Sequence, residues 1–518
     1  MKKIATLVLA AGLVLSAVTG AQAIDFKAKG EWIMSFDYGQ NGSFSKQRGW
    51  GQKSTDKNQD EFEALQRVRL QLDAVASEAL SGTVYFEIGD TIWGQKSTGG
   101  AMGADGTIVE VKRAYIDWMP PATDLKVRMG IQGIALPSFT TGSMVLNDDM
   151  AGISASYKFT DNVGLTALWA RPYNDNGGLH TKDPYNSPRA SYLDNIDAFA
   201  LLVPMTFDGI KVTPWVMGSI IGAGALEAYD GPGTNNDYDG MKALSGYTKQ
   251  GLFPAGGALH RNGRTALGDS PTGYGTGIWA GLTGDVTMFD PFRFAWDFTY
   301  GSVNWEDHGR WNRSGWILSA LFEYKMDWGI PGIVAWYASG DDGNPSNGSE
   351  RLPALGANNT NGFSNFAFDG DKYIARDAVI GNSMAGTWGI GARLKDMSFV
   401  EDLKHTFRVN YMGGTNAPKM GRKLAEAFVI DGPDQIGPYP ANGYGLGMDA
   451  MYLTTKDQAL EIGLTNTYKM YENFLINLEA DYVAMWLEDR GNANRVSSQK
   501  KNQVRDAWNV NLSFVYSF

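Results

Sequence analysis

The chain is 518 residues long, lacks cysteine, and carries a formal net charge of -11 from 45 basic and 56 acidic side chains. Charged residues make up only 19% and aromatic residues 12%, glycines number 64, and mean hydropathy is -0.26. That balance excludes a disulfide-stapled scaffold, a bundle of spanning helices, which would need runs of about 20 apolar residues, and a basic nucleic-acid-binding surface.

Met1-Lys2-Lys3 is a short positive stretch, residues 4–18 are apolar, and Ala21-Gln22-Ala23 is a small-x-small cleavage pattern. This reads as a secretory signal peptide over residues 1–23. Removing its two lysines leaves a mature chain from Ile24 with charge -11 - 2 = -13. Residues 24–518 show no linker and read as one domain.

From Ile24 onward the chain alternates. Phe26, Ala28, Gly30, Trp32, Met34, Phe36 and Tyr38 share one face, and Lys27, Lys29, Glu31, Ser35 and Asp37 the other. A period of two is that of a strand with unlike faces. The pattern returns at Val68, Leu70 and Leu72 against Arg67, Arg69, Gln71 and Asp73, then at Val127, Met129 and Ile131 against Lys126, Arg128 and Gln132. It continues at Ile153–Phe159, Phe292–Tyr300, Trp316–Met326, Leu460–Tyr468 and Ile476–Trp486. Two segments are weaker: 108–118 is apolar on both faces, as a bulge would make it, and 210–221 contains Pro214, which suits a ladder poorly. The last strand sets Trp508, Val510, Leu512, Phe514, Tyr516 and Phe518 against Asn509, Asn511, Ser513 and Ser517.

About 18 such segments are expected, or 16 if the weak ones merge, and an even count brings both ends to one side for closure. Connections alternate in length. Short ones fall near 77–82, 120–123, 160–162, 208–209, 290–291, 327–331 and 471–473. Long ones run over 39–60, 95–106, 135–149, 172–195, 222–274, 340–386, 415–458 and 488–506. Short turns on one rim and long polar loops on the other mark a transmembrane antiparallel β-barrel of the bacterial outer membrane. Lipid satisfies no backbone polar group, so a spanning sheet must close. A secreted all-β enzyme is the competing reading, and it gives no reason for loops to sort in this way.

In such a barrel the apolar row faces lipid and the polar row faces the lumen. The inward row would hold Lys27, Lys29, Arg67, Arg69, Lys126, Arg128, Arg293, Arg393 and Arg408, which points to a hydrated interior.

Several short segments carry a family resemblance: 75–82 (VASEALSG), 336–342 (WYASGDD), 386–391 (GTWGIG) and 411–415 (YMGGT). On them, over most of the mature chain, the sequence resembles the outer-membrane homotrimeric porins of sulfate-reducing bacteria. The resemblance implies a homotrimer of water-filled barrels, set among outer-membrane lipids and lipopolysaccharide, passing small hydrophilic solutes without catalysis. General porins fold their third long loop into the lumen; here that loop is 135–149. Its Asp148 and Asp149 are expected to face Lys27, Lys29, Arg67, Arg69, Lys126 and Arg128 across a constriction, where opposed charges focus a field. The plainer alternative makes Asp148 and Asp149 solvated loop acids.

Other motifs point elsewhere only weakly. His180, His260, His308 and His405 show no metal spacing, and only His405 falls on a strand, with no serine beside it for a hydrolase. Gly275-x-Gly277-x-x-Ala280 and Gly445-x-Gly447-x-x-Ala450 resemble dinucleotide fingerprints without the strand-turn-helix setting. Asp230, Asp237, Asp239, Asp341, Asp342, Asp369 and Asp371 could hold structural Ca²⁺ in the loops, although no spacing matches an EF-hand. The second functional reading is a substrate-selective channel for sugars or anions; a sugar path would line the lumen with aromatics, for which Trp215 and Trp279 are candidates.

Overall fold

The computed structural model describes residues 24–41, 60–104, 109–174, 195–222, 251–252, 274–306, 309–357, 383–427, 452–488 and 505–518. The expected signal peptide lies outside them. The strands in chain order are β1 (Asp25–Gln40), β2 (Asp60–Ser77), β3 (Leu80–Ile92), β4 (Val109–Trp118), β5 (Lys126–Ala135), β6 (Asn147–Lys158), β7 (Gly164–Asn174), β8 (Asn195–Leu202), β9 (Met205–Phe207) and β10 (Ile210–Ile221). They continue with β11 (Gly275–Val286), β12 (Phe292–Trp305), β13 (Arg313–Tyr324), β14 (Ile330–Ala338), β15 (Thr387–Val400), β16 (Leu403–Gly414), β17 (Gln458–Tyr471), β18 (Phe474–Trp486) and β19 (Ala507–Ser517). One helix, α1 (Pro418–Ala427), follows β16.

Neighbours in sequence pair antiparallel all the way round, and β1 pairs with both β2 and β19. The sheet is therefore a closed barrel. Strands β8 and β9 are two pieces of one stave, because both pair with β10 in a single register. Trp215 faces Leu202 and Val212 faces Met205, so Pro214 stands opposite Val203 and Thr213 opposite Pro204. Neither proline has an N–H to give, and the ladder opens there; Val203 still donates to the Pro214 carbonyl at 3.0 Å. This is how Pro214 is tolerated, and it brings the count to eighteen staves. The suspected bulge is also present: the register shifts where Tyr85 and Phe86 meet Arg113 and Val111. The first strand starts and the last strand ends on the rim of short turns, and the strand ends that lead into the long connections lie on the other.

Alternation sorts the two faces. Outward side chains are large and exposed, such as Ile278 (55%), Phe298 (41%) and Ile333 (54%), while the inward neighbours Trp279 of Ile278 and Val334 of Ile333 are buried. This apolar exterior runs round the barrel and far exceeds the roughly 300–600 Å² patch that a soluble monomer exposes. Among the described residues no helix is long and apolar enough to cross a membrane.

The inward face divides into two arcs. On one of them the polar lining expected all round gives way to apolar side chains. From β10 to β15 the inward Trp215, Met217, Trp279, Ile317, Leu321, Val334 and Trp336 are buried in one core with Leu136, Val145, Leu146, Leu252, Leu352 and Leu355 from the long connections. Those connections bring apolar residues of their own and build a second core inside the barrel. Trp215 and Trp279 do point inward, but they are buried in this core and do not line an open path. The glycines of the first apparent fingerprint serve it: a Cβ at Gly277 would stand 2.4 Å from the Trp279 ring. The second fingerprint lies outside the described residues.

The seam is closed by the last residue. Gly30 donates to the Phe518 carbonyl at 2.9 Å and accepts from the Phe518 N–H at 3.0 Å. A Cβ at Gly30 would lie 2.3 Å from the Arg69 carbonyl oxygen and 2.8 Å from the Phe518 ring. Gly30→Val is therefore expected to destabilise the barrel by about 1–3 kcal/mol through overpacking. Thermal melting of the detergent-purified protein should show a lower midpoint than wild type, and an unchanged midpoint would contradict this account of the seam.

Candidate functional site: the barrel interior

The third long connection, residues 136–146, leaves β5 and turns into the barrel. Its base is closed by Leu136 N–H donating to the Leu146 carbonyl at 2.9 Å. Its apolar residues Leu136, Met144, Val145 and Leu146 are buried. Its tip reaches Asp297 on β12, six staves from β5. Asp297 accepts hydrogen bonds from the Phe139 and Thr140 N–H groups, both at 2.9 Å, from Ser138 Oγ at 2.7 Å, and from Thr140 Oγ1. Arg293 donates to the Phe139 carbonyl at 3.3 Å, and Thr140 Oγ1 meets Ser319 Oγ at 2.6 Å. A carboxylate that accepts four bonds in a buried setting is a strong tether, because bonds to charged groups exceed neutral ones. The segment therefore forms a chord across the interior.

A second segment, 339–357, folds inward beside it. The Leu355 N–H donates to the Val145 carbonyl at 2.9 Å, and the Asn147 N–H to the Gly356 carbonyl at 2.7 Å. Buried Arg313 holds the carbonyls of Arg351 and Leu352 at 3.1 and 2.7 Å, and the Trp279 indole donates to the Pro353 carbonyl at 2.8 Å. Asp341 ties this segment to the next two: it accepts from Ser349 Oγ and from Tyr452 OH at 2.7 Å, and its N–H donates to Asn416 Oδ1 at 2.9 Å. Burial, with Asp341 beside it, pushes the Tyr452 hydroxyl well above its usual range, so it stays a neutral donor. Burial and then the nearby acids Asp341 and Asp342 raise Glu350.

Three of the segments that carry the family resemblance meet here. The Trp336 indole donates to Thr387 Oγ1 at 3.1 Å, and Thr415 binds the Ala338 carbonyl at 2.8 Å and the Gly386 carbonyl at 2.9 Å. Their shared work is to lock neighbouring loops to the rim.

The second arc, β2 to β5, is lined by ion pairs. Arg67 grips Asp90 through two bonds of 2.6 and 2.8 Å. Arg69 meets Glu87 at 2.7 Å and Glu31 at 3.3 Å. Arg128 holds Asp117 at 2.6 and 2.8 Å and lies 4.0 Å from the Tyr115 ring centre. Arg113 meets Asp149 at 2.6 Å above the Tyr85 ring, and Lys112 lies between Glu87 and Asp149 at 3.3 and 3.7 Å.

Of the residues expected to form the constriction, Asp149 is placed against Arg113 and Lys112, which alternation alone did not single out. Arg67, Arg69 and Arg128 pair with acids on adjacent strands. Asp148 caps the Asp149 N–H at 2.8 Å. Lys29 and Lys126 stand across their ladders from Gln71 and Ser156. Lys27 pairs with Asp25 at 3.5 Å on the short-turn rim, both well exposed. Alternation assigns a residue to a face; strand register, which decides its partner, is set by turns and bulges. His405 contacts Asn466 Oδ1 at 2.6 Å. Of the acids considered for Ca²⁺, Asp341 is held as described and Asp342 caps the Asn344 N–H; the other five, like His180, His260 and His308, lie outside the described residues. Among the described residues no group of three side chains is placed to hold a metal ion.

No protein-family model and no curated protein sequence matches the chain. Among solved structures it is similar to OpdQ of Pseudomonas aeruginosa, with 11% identity over 95% of this chain and 98% of that one and a TM-score of 0.47. A BenF-like porin from Pseudomonas fluorescens Pf-5 gives 10% identity over 95% and 99% of the chains and a TM-score of 0.48. OccAB3 of Acinetobacter baumannii gives 9% identity over 95% and 100% and a TM-score of 0.47.

The tether at Asp297 is testable without assuming any function. Asp297→Ala should accelerate amide hydrogen exchange at Phe139 and Thr140 roughly ten- to hundredfold, the loss corresponding to one charge-assisted bond at each. Unchanged protection would mean that the loop is held elsewhere.

Proposed function

We propose that this chain is an outer-membrane channel that admits small polar and charged solutes selectively. One observation carries the reading: a closed barrel with an oily exterior has an interior narrowed by its own loops, with ion pairs along the remaining wall. An apolar belt around a closed sheet suits hydrocarbon, where every backbone group must be satisfied within the protein. A general diffusion pore, favoured by the sequence reading, needs a wide aqueous bore. Here the chord over 136–146 and the segment 339–357 occupy one side of the interior, which favours the selective alternative. Fixed charge and size along β2 to β5 then discriminate among solutes, as charged rings do in other channels. The lining groups act by electrostatics and perform no bond-making step.

Assembly as a homotrimer among outer-membrane lipids belongs to the same proposal and rests on the family resemblance. The pairing of Asp148 and Asp149 with basic residues as a constriction is likewise proposed, with Arg113 and Lys112 added to the basic side.

Planar-bilayer recording of the purified protein tests the reading. Discrete, long-lived conductance steps are expected. The Arg67→Ala/Arg69→Ala variant leaves Asp90 and Glu87 without their guanidinium partners, so its reversal potential in a salt gradient should move toward cation preference. A protein that inserts without conducting would refute the channel, and an unmoved reversal potential would remove these arginines from the passage.

A further inference from the structure

The inner wall carries its charge unevenly along the barrel axis. Six lysines stand on inward positions at the short-turn ends of their staves: Lys29 on β1, Lys126 on β5, Lys158 on β6, Lys211 on β10, Lys404 on β16 and Lys469 on β17. Alternation fixes their side. Lys211 shares a face with buried Thr213, Trp215 and Met217, and Lys404 shares one with buried Asn410 and Met412. The outward neighbours Tyr157, beside Lys158, and Tyr468, beside Lys469, are exposed.

The acids of this lower wall are already engaged. Asp117 is held by Arg128 at 2.6 and 2.8 Å, Asp285 by Arg293 at 2.7 Å, and Glu323 by Arg293 at 2.8 Å and Arg393 at 2.7 Å. Asp73 accepts from Thr83 Oγ1 at 2.7 Å and from Gln71 Nε2 at 2.8 Å. The six lysines are exposed, and none of their side chains makes an ion pair among the described residues. Acids of the turns, such as Asp161, Asp208 and Asp402, stand past the strand ends. Toward the opposite rim the inward charge changes sign, with Asp37 and Glu461 buried there.

A lysine ammonium is a compact charge on a flexible stem, and without an acid to hold it its three donors stay available to a ligand. Several such charges around one mouth raise the local concentration of anions, and more strongly for anions of higher charge. We propose that the short-turn mouth, which faces the periplasm in an outer-membrane barrel, is a loose binding ring for small multivalent oxyanions. It deepens the channel reading and rests on it. The six lysines are distributed around the barrel on different staves, so they act as a ring and not as one pocket. Because the ring sits at one end, an anion entering from that side meets it first, and the channel responds differently to the same anion on its two sides.

Inorganic pyrophosphate is the probe. With single wild-type channels in a planar bilayer at about 0.1 M salt, it is expected to lower the current when added to one chamber and not when added to the other. At about 1 M salt, where the screening length falls from about 10 to about 3 Å, the effect should vanish. In the Lys158→Gln/Lys211→Gln/Lys404→Gln/Lys469→Gln variant the concentration giving half the effect should rise about tenfold. The matching variant with Arg at these four positions should behave as wild type. Equal response from both chambers, or the same half-effect concentration in wild type and the Gln variant, would overturn the ring while the channel reading stands. Conducting channels indifferent to pyrophosphate would do the same. Absence of any conductance would defeat the channel reading and the ring with it. Should the fourfold variant fail to assemble, Lys404→Gln/Lys469→Gln takes its place, with a rise of about threefold expected.

Discussion

Everything in this molecule follows from a sheet that has no free edge. The first and last strands pair over ten positions, from Glu31 against Ser517 to Gln40 against Trp508. The terminal Phe518 then shares two backbone bonds with Gly30. Once the sheet closes, each strand has one outer face and one inner face, and the period-two sequence has a physical meaning at every stave. Closure also removes the need for a covering layer: the outer face can remain apolar and the backbone is still satisfied. Gly30 matters because a side chain there would collide with both the neighbouring carbonyl and the closing aromatic ring.

A barrel of eighteen staves is too wide for its own inward side chains to fill. The protein resolves this unevenly. On the arc from β10 to β15, long connections return to pack Leu136, Val145, Leu352 and Leu355 against inward tryptophans. On the arc from β2 to β5 the inward side chains are long and charged, and neighbouring strands satisfy each other: Arg67 with Asp90, Arg128 with Asp117. Asp297 links the two solutions, since one buried carboxylate fixes the tip of the chord. The wall through β17, β18 and β19 follows neither pattern, burying Glu461, Glu479, Asp481 and Asn511 together.

Much of the architecture was legible in the sequence. Alternation placed Phe294 and Phe298 outside and Asp37, Arg67 and Arg69 inside, and the even strand count put the start of the first strand and the end of the last on one rim. Even the two doubtful strands had physical signals: Pro214 marked the point where the ladder opens, and the unclear alternation of β4 marked a bulge. What could not be read was anything that depends on contacts distant in sequence. Asp149 was assigned to a basic partner, but only register identifies that partner as Arg113. Asp297 looked like any inward polar residue on β12, because its four donors lie more than 150 residues earlier in the chain. The apolar inner arc was hidden for the same reason. Trp279 and Ile317 occupy inward positions, and only the folded loops explain how apolar residues can be stable there.

The absence of cysteine from the natural chain permits a direct test of the central claim, that one face of each strand meets lipid and the other an aqueous interior. Leu70→Cys, Gln71→Cys, Leu72→Cys, Asp73→Cys and Ala74→Cys would be made singly along β2 and reconstituted into vesicles. A charged, water-soluble thiol reagent should label positions 71 and 73, and a quencher dissolved in the lipid should reach labels at 70, 72 and 74. Uniform labelling by the aqueous reagent at all five positions would contradict the account.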